Sequence, residues 1–409
     1  MKLFKTRKAV GLYLVCMTIL HIGLIWNAAP LIRRGYPDFT HMYAAGKIVR
    51  AGLRHQLYDD STQYRIQQEF ASGVSIRHGA LPYNHPPYEA LLFVPFTYLP
   101  YVVAFILWDA LSVSVLVYLP YLLRQHIPLL HTSSTLFWLL ASLGFYPVSV
   151  SLLQGQDIIL LLLLVCLSFV SLEKKREFAA GAWLALGLFR FHLLLPFVVM
   201  MLAQKRWRAL GGFFSVGAAL VVLSVAMLGG WRGALTYPEY AWNAEVHMGR
   251  GIVPADMPNL RGLLDTQTSS FFAKPQVNLL FLAVTVVLLA LASYRWRFAL
   301  QHNLQLSFSV AVILCVLSSY HAFAYDLTLY LLPIALILNY ALNTALEESK
   351  RVLLFGPIAI LYASPLLIVL WLQYGQLNWL ALITFLWFWG VVSLPQTLIP
   401  AERPRITAP

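Results

Sequence analysis

The chain has 409 residues, of which 59% are hydrophobic and 11% charged, with a formal net charge of +12 and a mean hydropathy of +0.69. A soluble domain carries about 25% charged residues, so this composition excludes a soluble globular protein. It predicts an all-α polytopic membrane protein, a single integral domain over residues 1–409. In such a chain the excess positive charge reads first as cytoplasmic loops facing anionic lipid, not as a nucleic-acid surface.

Lys2, Lys5, Arg7 and Lys8 stand directly before the apolar run 9–29, which puts the N-terminus in the cytoplasm. The run reaches spanning length with no small-residue cleavage pattern after it, so it reads as a span rather than a signal peptide. A first outer loop, residues 30–87, follows. Within it, 39–52 and 61–71 space their apolar residues as helices and are expected on the membrane surface. The stretch 86–100 is apolar but short of the ~20 residues that cross a ~30 Å hydrocarbon core. It is expected as an interfacial or re-entrant piece.

Crossings are then expected at 101–123, 136–153 and 158–172. The next apolar run, 178–203, is interrupted by Arg190-Phe191-His192 and Pro196, and both its flanks are basic: Lys174 to Arg176, and Lys205 to Arg208. If both flanks are cytoplasmic, the run is a hairpin of two short helices whose tip, Arg190 to His192, points outward; a single tilted helix is the alternative. Residues 210–228 cross outward to a second outer loop, 229–276, and 277–294, 304–319, 327–346, 352–372 and 377–395 complete about twelve spans, with both termini inside. Seventeen of the 29 Lys and Arg fall on the inner side of this arrangement. Cys16, Cys166 and Cys315 all lie in apolar segments and offer neither a metal motif nor a disulfide framework. There is no repeat of 20–50 residues and no phosphate-binding glycine loop.

This topology gathers the unusual polar residues on one face: Asp38, His41, His85, Gln154, Gln156, Asp157, Arg190, His192, His247, His321 and Asp326. Asp38 could cap the surface helix after it, and Gln154-Gly155-Gln156-Asp157 could cap 158–172. An ionisable residue at the membrane edge is nevertheless a functional candidate. Arg190, inside a 26-residue apolar run, requires an anionic partner, either a lipid phosphate or a carboxylate such as Asp157 or Asp326. His192 could be a helix-interface residue or a phosphate ligand. His321 and Asp326 could bond each other at a helix end or line a sugar site. His85 precedes Pro86-Pro87, which stiffen the backbone, and is weighted to function. His41 has only Ala44 and Ala45 one turn away and reads as a surface residue, and His247 shows no pattern. Asp109, within 101–123, reads as a structural residue bonded between helices. The Trp and Tyr excess reads mostly as an interfacial belt.

Asp38-Phe39 with Tyr43-Ala44-Ala45-Gly46 and Tyr58-Asp59, the run 83–100, Gly155-Gln156 before an apolar helix, the stretch 181–196, and Tyr325-Asp326-Leu327-Thr328-Leu329 occur in that order. Together they resemble glycosyltransferase family 87, membrane enzymes of the GT-C fold with a polyprenyl-phosphate sugar donor. The chain departs from that family's Tyr-Pro-Pro run by Asn84-His85, and carries Arg190 or His192 where the family often has Lys. The resemblance spans about residues 10–345. It implies sugar transfer at the outer face, often of mannose, with inversion, and Asp38 matches the first-loop carboxylate that acts as base. Beside Asp38, the outer-face residues expected to meet substrate are His85, Gln154, Gln156, Asp157, Arg190, His192, His321 and Asp326. The partners are a polyprenyl-phosphate sugar, a lipid or glycan acceptor and membrane lipids, at the cell (inner) membrane. No cofactor is required by this chemistry, although Asp157 and Asp326 could hold a divalent metal weakly. A lipid-linked saccharide flippase would need polar residues at mid-bilayer and usually shows internal repeats. A scaffold would not explain an intramembrane Arg, and Asp157 is the alternative base.

Overall fold

The structure, a computed structural model, describes residues 2–71, 79–246 and 253–394. His247 and the tail bearing Arg403 and Arg405 lie outside the described residues. Among the described residues every regular element is helical, as a hydrophobic chain that must satisfy its backbone polar groups inside lipid requires. Five helices are long and apolar enough to span: Lys8–Asn27, Tyr101–Leu123, Trp207–Met227, Lys274–Phe298 and Ala324–Leu342. Two bent pairs raise the number to seven, against the twelve spans expected from the sequence.

The difference comes from breaks inside apolar runs. Run 136–153 is two helices, Thr135–Leu143 and Tyr146–Gln154, bent by 72°, with a proline in the first turn of the second. Run 352–372 bends by 61° between Glu348–Leu361 and Ser364–Leu372, where Pro365 opens the second helix. Proline lacks the donor for a continuous ladder but suits a helix's first turn. Ile158–Glu173, Glu177–Leu186 and Leu304–Leu317 are apolar but shorter.

The 178–203 run folds back on itself as a hairpin. Glu177–Leu186 and Leu195–Ala203 are joined by a turn, Leu188–Leu193, in which Arg190 leaves the helical region at φ −117°, ψ 51°. The open ends meet, because Arg206 Nη1 lies 3.1 Å from Glu177 Oε1. Glycine lets Glu177–Leu186 lie tight on Trp207–Met227: a Cβ on Gly181 would stand 1.7 Å from the Ala209 carbonyl oxygen, and one on Gly212 would stand 2.0 Å from that of Phe178. Small residues permit this approach of backbones.

The first loop also folds onto the bundle. Phe39–Arg50 and Asp60–Gln68 are helical as expected. The stretch after Pro86 is a chain of short helical pieces, Pro87–Glu89, Ala90–Phe93 and Val94–Tyr98. Phe39, fully buried, packs its ring against Phe93, Phe105 and Trp108. That cluster fixes the position of its neighbour, Asp38.

Candidate active site

Three chain reversals bring the polar residues together. The first is the start of Phe39–Arg50. Asp38 stands at its N-cap, yet its side chain makes no capping bond. The carboxylate instead accepts a hydrogen bond from Gln156 Nε2, and the Asp38 N–H donates to Gln154 Oε1 at 3.1 Å.

The second reversal is Gln154-Gly155-Gln156-Asp157. Gly155 adopts φ +61° and ends Tyr146–Gln154 in the left-handed conformation that glycine tolerates best. A Cβ there would meet Phe39 Cβ at 2.8 Å and Phe105 Cε2 at 2.9 Å. Glycine thus lets this turn close directly on the Asp38 helix. Asp157 does not cap the helix it precedes; its carboxylate is turned to Arg190.

The third is the hairpin tip. Arg190 is 3% exposed and forms the hub of the site. Its Nε donates to Asp157 Oδ1 at 2.8 Å and its Nη1 to Asp326 Oδ1 at 3.2 Å. Its Nη2 lies 2.6 Å from Asp157 Oδ1 and also donates to Gln156 Oε1. The guanidinium lies 5.2 Å from the centre of the Tyr325 ring. Asp326 Oδ2 accepts the Phe323 N–H at 2.8 Å, so this carboxylate both closes its own turn and holds Arg190. Gln156 therefore joins Asp38 to Arg190 through the two ends of one amide.

These residues face a cavity of about 600 Å³, within the range of small-molecule sites. Asp38, His41, His85, Gln154, Gln156, Arg190, His192 and His321 line it, with Tyr237, Trp242 and Trp371 among its aromatic lining. Asp157 and Asp326 do not line it; both are fully buried and act on the cavity through Arg190. The structure revises two readings of the sequence. His41 is buried, not superficial, with its ring 5.3 Å from that of His85, because the first loop folds over it. Asp109 Oδ1 is buried but meets no hydrogen-bond donor among the described residues, so the expected bond between helices is absent there. Sequence reasoning also passed over Glu89. It is 2% exposed, with its Oε2 2.7 Å from His85 Nδ1 and receiving the Tyr83 hydroxyl at 3.3 Å. A lone carboxylate four residues after a histidine, in an otherwise apolar stretch, was the available signal.

The electrostatics differ from group to group. Burial raises the pKa of Asp38, opposed by the Gln156 hydrogen bond and then by the charge of Arg190. Burial would also raise Asp157, but Arg190 and His85 outweigh it and hold the carboxyl near 2. Burial lowers His85 to about 4 in spite of Asp157, so its imidazole is neutral at pH 7. Burial, reinforced by Asp157, pushes Glu89 well above the carboxylate range. Asp157 is thus committed to Arg190, while Asp38 is the cavity-facing carboxyl with an elevated pKa, the condition for an acid–base group.

Fold and cavity define a polytopic membrane protein with a carboxyl group, Asp38, and a buried guanidinium, Arg190, at the wall of one cavity. A family model, Glycosyltransferase family 87, matches residues 83–319, more than half of the chain, and the chain belongs to that family. It is a membrane glycosyltransferase. The match covers the His85, Gln156 and Arg190 segments; Asp38 and Asp326 lie outside it and enter the site by geometry. No curated protein matches the chain.

Proposed function

We propose that this protein transfers a hexose, mannose first among the candidates, from a polyprenyl-phosphate donor to a hydroxyl of a lipid or glycan acceptor, with Asp38 as base. The observation that carries this reading is the single amide of Gln156, which bonds both the Asp38 carboxylate and the Arg190 guanidinium at the wall of one cavity. An acceptor hydroxyl is a poor nucleophile at neutral pH, and a positioned carboxylate that removes its proton is worth ~10²–10⁴-fold. The acceptor oxygen attacks the anomeric carbon, the bond from that carbon to the phosphate oxygen breaks with inversion, and the proton passes to Asp38. The departing lipid phosphate gains negative charge, which Arg190 is placed to meet, with His85 and His192 as hydrogen-bonding partners. Gln154 and His321 face the same cavity and are assigned to the sugar or acceptor. Asp157 and Asp326 set the position of Arg190. The distribution of Lys and Arg supports cytoplasmic termini and a site on the outer face of the cell (inner) membrane.

The test is sugar transfer by purified protein with radiolabelled polyprenyl-phosphate mannose and a membrane lipid extract as acceptor, for wild type and Asp38→Asn. Transfer by wild type that falls ~10²-fold or more in a folded variant supports both the class of donor and the base. Equal transfer by both removes Asp38 from the role and leaves Asp157 as the next base to test. Absence of transfer by wild type, with mannose and with other hexose donors, overturns the donor assignment.

A further inference from the structure

Behind the cavity wall the buried carboxyl groups outnumber the basic side chains that pair with them. Glu89, Asp157 and Asp326 are all buried, at 2%, 0% and 0% exposure. Among the described residues Arg190 is the only Lys or Arg in ion-pair contact with any of them, and it reaches Asp157 and Asp326 but not Glu89. Three carboxyl groups thus share one guanidinium, and with the cluster empty a proton on Glu89, whose pKa burial and Asp157 raise, offsets the surplus. An uncompensated buried carboxylate is costly enough that proteins rarely keep one without a partner.

The surplus is concentrated at one point. His85 Nδ1, a Glu89 oxygen and an Asp157 oxygen all lie within 4.8 Å of one another. His85 Nδ1 is 2.7 Å from Glu89 Oε2 and 3.7 Å from Asp157 Oδ2. Glu89 Oε1 and Asp157 Oδ2 are buried with no donor from a third residue in place among the described residues, and the two side chains are close enough to share one hydrogen bond between themselves. Donors around one ion at ligand lengths of about 2.1 Å stand roughly 3.0–3.4 Å apart. The two spacings found here bracket that range.

We propose that His85, Glu89 and Asp157 bind one divalent transition-metal ion in the wall of the cavity. One imidazole nitrogen with two carboxylate oxygens suits Mn²⁺ or Zn²⁺; Mg²⁺ and Ca²⁺ prefer sites made of oxygen alone. Asp157 would bridge, with Oδ1 on Arg190 and Oδ2 on the ion. The ion and Arg190 then supply three positive charges to the three carboxylates Glu89, Asp157 and Asp326. His85 is the ligand that also lines the cavity, so the ion's field would act on the same side as Arg190. This site does not depend on the reaction assigned above, because its test reads metal and not sugar.

The experiment uses the full chain in detergent, with any purification tag removed, stripped with a chelator and then titrated with MnCl₂ or ZnCl₂ by calorimetry, with elemental analysis of the re-loaded protein. Wild type is expected to take up about one equivalent, and Glu89→Gln and His85→Asn each to bind at least about tenfold more weakly. The ion should raise the melting temperature of wild type and leave that of Glu89→Gln unchanged. Glu89→Gln keeps the shape of the side chain; if it fails to fold, His85→Asn carries the same comparison. Wild type that takes up no ion, or variants that bind as tightly as wild type, would overturn the site and leave a proton as the occupant of the cluster.

Discussion

Arg190→Met tests the hub of the site directly, because its cost can be worked from the contacts. The substitution fills most of the same volume and removes the cation. Asp157 loses its donors at 2.8 and 2.6 Å, and Asp326 loses one at 3.2 Å but keeps the Phe323 N–H at 2.8 Å. Breaking a buried pair by removing one partner costs about 3–5 kcal/mol. A second route gives a similar ceiling. Asp157 can escape by protonation, and neutralising a carboxyl with an ordinary pKa of about 3.9 costs about 4 kcal/mol at pH 7 and about 1.5 kcal/mol at pH 5. In the variant the folded-state pKa of Asp157 lies above its unfolded value, so the folded state holds more protons. Its stability therefore falls as pH rises between those two values. The expected result is a loss of about 3–5 kcal/mol at pH 7 that shrinks at pH 5. A larger rescue is expected from Asp157→Asn than from Asp326→Asn in the Arg190→Met background, since Asp326 retains its backbone donor. Denaturant unfolding in detergent with chelator present measures all four proteins. A single variant within about 1 kcal/mol of wild type at pH 7, or double variants no more stable than the single one, would refute the account, since residues in contact ordinarily couple by more than ~0.5 kcal/mol.

Three other outcomes are expected. Because burial raises the pKa of Asp38 and a base works only when deprotonated, the acid limb of kcat/KM should rise with pH to a midpoint above the ordinary value of about 3.9; a limb at or below that value, in substrate-limited initial rates, would contradict the assignment. Gly155→Ala places a Cβ 2.8 Å from Phe39 Cβ at φ +61°, so it should cost about 1–3 kcal/mol in unfolding experiments and lower transfer, because Gln154 and Gln156 move with the turn. Gly181→Ala puts a Cβ 1.7 Å from the Ala209 carbonyl oxygen and should cost about 3 kcal/mol in the same assay, with the melting temperature, rather than KM, as the quantity that changes.

Hydropathy and charge were enough to show an all-helical membrane chain, because apolar runs of spanning length leave few other solutions. For the 178–203 run the basic flanks favoured a hairpin over a single tilted helix, and the contact of Arg206 with Glu177 agrees with the hairpin. Span counting failed where an apolar run was assumed to be one straight helix. The bends after Leu143 and Leu361 depend on Pro147, Pro365 and the neighbours each half packs against, and hydropathy averaged over a window does not register them. At the site, an unusual polar residue in an apolar stretch picked out Asp38, His85, Gln156 and Arg190, which all line one cavity. It could not separate residues that line the cavity from those, such as Asp157 and Asp326, that lie behind it, since that distinction belongs to side-chain direction.

Glu89 shows why charge must be counted in space rather than along the chain. In sequence it is one acid within a proline-flanked apolar stretch, with no Lys or Arg nearby to draw attention to it. Folding places it against His85 and near Asp157, whose own cation is shared with Asp326. A site built to meet a phosphate must keep positive charge available, yet Arg190 is already engaged by two carboxylates and an amide. If nothing further compensated Glu89 and Asp157, Arg190 would face the cavity with its charge more than cancelled, and the attraction for a leaving phosphate would be weak. A protonated Glu89 removes one negative charge, and a divalent ion on His85, Glu89 and Asp157 removes two. Only the second leaves Arg190 opposite a single buried carboxylate, Asp326, and the buried set without a net negative charge. The charge requirement of the proposed reaction and the orphaned oxygens of the cluster thus point to the same three residues, and metal titration of the Glu89→Gln variant decides between the ion and the proton.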